Sequence, residues 1–68
     1  MAIYTAIRRG DIFTAEVTES YGGYQLTISR MRQEKKPKVC FTNFYNSRFD
    51  AMMKMEEYIP ELIWKEIE

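Results

Sequence analysis

Apolar and polar residues alternate along the first half of the chain. One alternating set is apolar and comprises Tyr4, Ala6, Phe13, Ala15, Val17, Tyr24, Leu26 and Ile28. The complementary set is polar and comprises Thr5, Thr14, Glu16, Thr18, Gln25, Thr27 and Ser29. Because side chains alternate between the two faces of a sheet, this pattern predicts strands with one buried and one polar face. We expect four strands, over residues 2–9, 12–20, 24–32 and 38–44.

Short glycine-containing segments separate the first three strands. Gly10-Asp11 and Gly22-Gly23 are residue pairs that tolerate the positive φ angles of tight hairpin turns. If these pairs form the turns, Val17 lies opposite Tyr4 on one side and opposite Ile28 on the other. The sequence therefore predicts an antiparallel meander whose apolar side chains share one face.

The third connection, Gln33 to Pro37, is longer and sets the register of the fourth strand less firmly. If it is a five-residue loop, Met31 pairs with Val39. Ile7, Met31, Val39 and Phe41 then form an apolar patch on the otherwise polar face, which is typical of an interface. In the alternative register, shifted by one residue, Val39 and Phe41 turn to the core.

The C-terminal segment has the features of a helix that covers the apolar face. Ser47 and Asp50 resemble the start of a capped helix. Pro60 predicts a kink, or a stop followed by a short second helix. Helical spacing relates the apolar residues Met52, Met55, Ile59 and Ile63. We expect one α+β domain over residues 1–68: a four-stranded antiparallel meander with one C-terminal helix packed on one face.

Charge is distributed unevenly along the chain, although ten cations balance ten anions. Residues 1–54 carry nine cations against five anions, a net charge of +4, and residues 55–68 carry one against five, a net charge of −4. This predicts a basic end and an acidic end. The densest basic segment, here called the basic hairpin, comprises Arg30, Arg32, Lys35, Lys36 and Lys38. It could contact phosphates, or it could be a solvated loop that prevents edge-to-edge pairing.

An acidic helix face is the third candidate surface. Glu57 and Glu61 fall opposite the apolar stripe, and Trp64 falls toward them if the helix continues. A docking surface would use Trp64 as its anchor, since tryptophan is enriched among interface hot spots. The alternative is a solvated face without a partner.

Catalytic and metal-binding chemistry has little support in the residues. The chain has no histidine, and Cys40 is its only cysteine. A structural zinc site within one chain is therefore excluded, and Cys40 has no histidine to activate it. We expect no enzymatic activity, no cofactor and no metal. The absence of a signal peptide and of a long apolar run predicts a cytoplasmic protein without membrane contact.

The order of elements resembles that of small nucleic-acid-binding domains, the PC4-like single-strand binders and the AP2-type domains. The size and the lack of catalytic groups are similar to those of phage-encoded inhibitors such as anti-CRISPR proteins. We expect a small binding protein that docks on another protein as an inhibitor or adaptor, with homodimer formation as a way to bury more surface. The alternative is a nucleic-acid-binding module that uses the basic hairpin, with Phe41 or Tyr45 stacking on single-stranded bases.

Overall fold

The computed structural model describes residues 1–67, which form an antiparallel sheet covered on one face by a helix. The elements are β1 (Ala2–Arg8), β2 (Asp11–Ser20), β3 (Gly23–Arg32), β4 (Lys38–Tyr45), α1 (Arg48–Tyr58) and β5 (Lys65–Glu66). The strand order is β4-β3-β2-β1-β5. The α+β class and the antiparallel meander are thus confirmed. The strand number was wrong, because a short fifth strand pairs with the free edge of β1.

Both hairpin turns lie one residue earlier than the sequence indicated. Arg9-Gly10 and Tyr21-Gly22 form the turns, and all four residues have positive φ, as a type I′ turn requires. Each residue therefore pairs with a partner two positions away from the predicted one, so Val17 pairs with Leu26 instead of Ile28. Because side chains alternate between the faces, a shift of two positions leaves every residue of the alternating pattern on its predicted face.

The pairing of β4 with β3 contains a bulge, which neither predicted register of β4 included. Ser29 pairs with Val39, and Ile28 pairs with Phe41, so Cys40 is the extra residue. Val39 therefore lies on the face away from α1, which we call the outer face. Phe41 lies on the helix side. The predicted pairing of Met31 with Val39 was therefore wrong, although Val39 does lie on the predicted face. The alternative register was right for the face of Phe41 and wrong for that of Val39, because the bulge lies between these two residues.

The helix begins and ends where local chemistry dictates. The Ser47 hydroxyl accepts a hydrogen bond from the backbone N–H of Asp50 at 3.1 Å. The helix ends at Tyr58, because Ile59 precedes Pro60 and is extended, with φ −136° and ψ 104°. No second helix follows within the described residues. The N–H of Leu62 donates to the Ile59 carbonyl at 3.0 Å, and the chain then turns toward β5.

Two apolar clusters fill the helix side of the sheet. The larger comprises Ala2, Tyr4, Ala15, Val17, Leu26, Ile28, Ala51 and Met55, and the smaller comprises Ala6, Phe13 and Leu62. Trp64 packs against both, and its indole N–H donates to the Met55 carbonyl at 3.2 Å. Leu62 is buried, whereas Ile63 is 80% exposed. The predicted helical stripe therefore fails beyond Ile59.

Candidate binding surfaces at one end of the sheet

One end of the sheet concentrates positive charge. The pairing of Arg8 with Asp11, and of Asp11 with Arg32, places the β1–β2 turn beside the β3–β4 loop. We call this region the basic end; its cations are Arg8, Arg9, Arg30, Arg32, Lys35, Lys36 and Lys38. Asp11, Glu34 and Glu61 are its three carboxylates, so seven cations leave a net charge of +4.

An apolar row crosses the outer face at this same end. Ile7 pairs with Ile12 on β2, and Ile12 pairs with Met31 on β3. Val39 lies beside them on β4, opposite Ser29. Ile7 is 73% exposed and Val39 is 63% exposed, and no element within residues 1–67 covers this face. We call these four residues the outer patch.

The outer patch differs from the predicted patch by one loss and one gain. Ile7, Met31 and Val39 lie on the outer face as expected. Phe41 does not, because the bulge turns it to the helix side, where its ring centroid lies 5.7 Å from that of Tyr58. Ile12 was missed, since the predicted register placed a threonine beside Ile7. A turn at Arg9-Gly10 would have paired Ile7 with Ile12.

The basic hairpin does come together in space. Its five members, Arg30, Arg32, Lys35, Lys36 and Lys38, line one hollow of about 190 Å³. Arg32 is also part of an ion pair, since its Nε and Nη2 donate to the two carboxylate oxygens of Asp11 at 3.0 and 3.1 Å. These hydrogen bonds are the main reason that the pKa of Asp11 lies below its ordinary value of 3.8.

A second hollow, of about 470 Å³, adjoins the basic hairpin on the helix side. We call it the arginine hollow; it is lined by Arg8, Arg9, Gly10, Asp11, Phe13, Arg30, Arg32, Gln33 and Ile59. Arg8 and Arg9 were not among the predicted site residues. The sequence did contain a signal for them, because an antiparallel meander places the end of its first strand beside the end of its third.

The predicted acidic face does not form as one helix face, because α1 ends at Tyr58. Glu57 is exposed on α1, but Glu61 lies beyond the helix and accepts a hydrogen bond from Arg8 at 2.8 Å. Trp64 is half-buried against the core. The prediction was wrong in its geometry because the helix ends before Pro60. Glu61, in the acidic C-terminal segment, contacts Arg8 at the basic end. The acidic and basic regions are therefore less separated than expected.

The remaining reactive groups are few. Cys40 is a free, exposed thiol at the bulge, 3.5 Å from the Lys38 carbonyl. The pKa of Tyr58 is raised, mainly by burial and to a lesser extent by the proximity of Cys40. Within residues 1–67, no group of three carboxylate or thiol side chains could hold a metal ion.

Comparisons with known proteins add no assignment. No family model, curated protein or solved structure matches this chain. Over the described part of the chain, no helix is long and apolar enough to cross a membrane. The function must therefore be inferred from the outer patch and the basic end.

Proposed function

We propose that this chain is a non-enzymatic binding protein that docks on another protein through the outer patch. The observation that carries this proposal is the contiguous row Ile7, Ile12 and Met31, extended by Val39, on an uncovered sheet face. Within the patch, Ile7 and Val39 are exposed, and Ile12 and Met31 are half-buried. The polar residues of that face can remain hydrated at little cost, whereas the exposed part of this apolar cluster gains free energy when a partner removes it from water. Docking at this surface would suit an inhibitor or an adaptor.

The chemistry of the patch favours a protein over a nucleic acid. Its side chains are aliphatic or a thioether, and none offers the aromatic platform on which unpaired bases stack. Phe41 and Tyr45 pack against the core on the helix side. They therefore do not lie on the outer face beside the patch, as the stacking hypothesis needed.

The charges beside the patch indicate an acidic partner. Arg9, Lys35 and Lys36 lie in the two loops that border the end of the outer face where the patch lies. Charge complementarity across an interface accelerates encounter and excludes wrong partners. A second copy of this chain fits less well, because a two-fold contact of patch on patch would bring two basic ends together. The proposal places this interaction in the cytoplasm, where the exposed Cys40 would stay reduced.

Affinity capture with matched variants tests this proposal. We expect the double variant Ile7→Gln, Val39→Gln to retain about tenfold less partner than the unmodified protein, since each change removes exposed apolar surface from the interface. Met53→Gln is the control, because Met53 is exposed on α1, away from the patch. Retention should also weaken with salt. Equal retention by the double variant, or a stable homodimer in sedimentation analysis that the double variant disrupts, would contradict the proposal.

A second candidate is a nucleic-acid-binding module. It is favoured by the convergence of all five residues of the basic hairpin around one hollow. Under this hypothesis, an oligonucleotide binds in a salt-dependent way, and Lys35→Glu with Lys36→Glu weakens that binding. A fluorescence titration at low and moderate salt separates the two functions, since the outer-patch variants should leave oligonucleotide binding unchanged.

A further inference from the structure

The arginine hollow is separate from the outer patch, because it opens on the other face of the sheet. Arg30 lies opposite Phe13 across β2 and β3, and Arg32 lies opposite Asp11, so the strands place both arginines on the helix side. The β1–β2 turn brings Arg8 and Arg9 to the same hollow. Four arginines thus line one hollow in a chain of 68 residues.

Two of these arginines are held in place by carboxylates. Arg32 donates from Nε and Nη2 to the carboxylate of Asp11, and Arg8 donates from Nη2 to the carboxylate of Glu61 at 2.8 Å. Each of these guanidinium groups carries five N–H donors, so donors remain after the ion pairs form. Within residues 1–67, neither Arg9 nor Arg30 has an ion-pair partner. The hollow therefore combines two oriented guanidinium groups with two uncommitted ones.

The charge of the hollow matches a doubly charged anion. Four guanidinium groups against the carboxylates of Asp11 and Glu61 leave a net charge of +2. A phosphate monoester carries a charge of about −1.5 to −2 at neutral pH and has three strong acceptor oxygens. Guanidinium groups recognise such oxygens through paired hydrogen bonds, which are stronger than neutral ones.

The walls of the hollow also suit an organic group next to the phosphate. Two apolar residues line it, the half-buried Ile59 and the buried Phe13. The volume of about 470 Å³ lies within the range of small-molecule sites, about 300–1,000 Å³. We propose that the arginine hollow binds a small organic phosphate monoester, with Arg9 and Arg30 as the principal phosphate ligands and Arg8 and Arg32 as supporting donors.

An NMR titration with adenosine 5′-monophosphate tests this proposal, with inorganic phosphate and adenosine as paired probes. We expect saturable shifts of the Gly10 and Gln33 amides with both phosphate probes and none with adenosine. Arg30→Gln should weaken binding by about tenfold, since a hydrogen bond to a charged group is lost. Lys65→Gln removes one cation on β5, outside the hollow, and should leave binding unchanged.

Arg9→Asn separates binding from folding. Arg9 has φ 52° in a turn whose second residue is Gly10, and asparagine is preferred over arginine at that position. The variant should therefore lose phosphate affinity while keeping or increasing its thermal stability. A loss of affinity that accompanied unfolding would indicate a structural role only and would overturn the assignment of Arg9.

The pH dependence provides an independent check. Affinity for adenosine 5′-monophosphate should rise between about pH 5 and about pH 7.5, because its phosphate group loses a second proton at about pH 6. The chain has no histidine that would titrate in this range. The lowered pKa of Asp11 keeps its carboxylate charged beside Arg32. Binding that is flat with pH, equal binding of adenosine, or no saturable shift with either phosphate probe at millimolar concentration would overturn the proposal.

Discussion

At the residue scale, the non-glycine residues with positive φ all lie in the three connections of the meander, within residues 1–67. Arg9, Tyr21, Gln33 and Glu34 all have positive φ, between 45° and 62°. Non-glycine residues in this region are strained by about 1–3 kcal/mol each. In the β3–β4 loop, the N–H of Lys35 donates to the Arg32 carbonyl at 3.0 Å, which closes a tight turn around Gln33 and Glu34. This turn presents Lys35 and Lys36 to solvent.

Tyr21 offers a direct measure of this strain. Its side chain is fully exposed, so a substitution loses no packing. We expect Tyr21→Asn to raise the free energy of unfolding by about 0.5–1 kcal/mol, because asparagine tolerates positive φ before glycine. Tyr21→Val should lower it, since a β-branched side chain tolerates this region poorly. Urea denaturation measures both, and a destabilised asparagine variant would contradict the turn geometry.

Asp11 makes stability depend on pH at the basic end. Its pKa is lowered in the folded protein, chiefly by the hydrogen bonds from Arg32. A lowered folded-state pKa contributes stability above the ordinary value of 3.8, and this contribution is lost as the pH falls through the folded-state value. We expect Asp11→Asn to flatten the stability curve below about pH 4. Denaturation at several pH values tests this, with Glu16→Gln as a control on the outer face; an unchanged curve would show that the ion pair adds nothing.

At the element scale, Trp64 connects the segment after Pro60 to the helix and the sheet. Trp64→Phe should lower the free energy of unfolding by about 1 kcal/mol through loss of the hydrogen bond to the Met55 carbonyl. Trp64→Ala should cost about 2–4 kcal/mol, because it also removes packing against both core clusters. Ile63→Ala is the control, since Ile63 is exposed. Equal stability of the alanine variant and its control would contradict the packing of this segment.

The elements show why the sequence predicted some features and missed others. The alternating pattern identified the faces of β1 to β3 correctly even with displaced turns, because the displacement preserved parity. The fifth strand has only two residues, Lys65 and Glu66, and no apolar alternation of its own. The bulge at Cys40 arises from backbone pairing with β3 and changes no side-chain pattern that could be recognised beforehand.

The candidate sites likewise divide into those visible in the sequence and those that depend on strand pairing. The basic hairpin is contiguous in sequence and was recognisable from charge density alone. The arginine hollow needed the antiparallel order of β1 and β3 in addition, since Arg8 and Arg9 are about twenty residues away from Arg30. Ile12 joined the outer patch only in the correct register. The role predicted for Trp64 depended on a helix that continued past Pro60, which the extended Ile59 excludes.

At the scale of the whole molecule, one end of the sheet carries both candidate surfaces. The outer patch lies on one face, and the arginine hollow lies on the other. The opposite end contains the β2–β3 turn and the start of α1. We therefore expect substitutions of the outer patch and of the cations at the basic end to change binding, and substitutions in the core beneath α1 to change stability.

Site-specific photocrosslinking in native host cells shows whether the outer patch contacts a partner protein. A photoreactive side chain would replace Val39 or Ile7 in two variants and Met53 in a third, because Met53 is exposed on α1. We expect positions 39 and 7 to crosslink to the same acidic protein and position 53 not to crosslink to it. Crosslinking from position 53 alone, or only to nucleic acid from positions 39 and 7, would contradict this expectation.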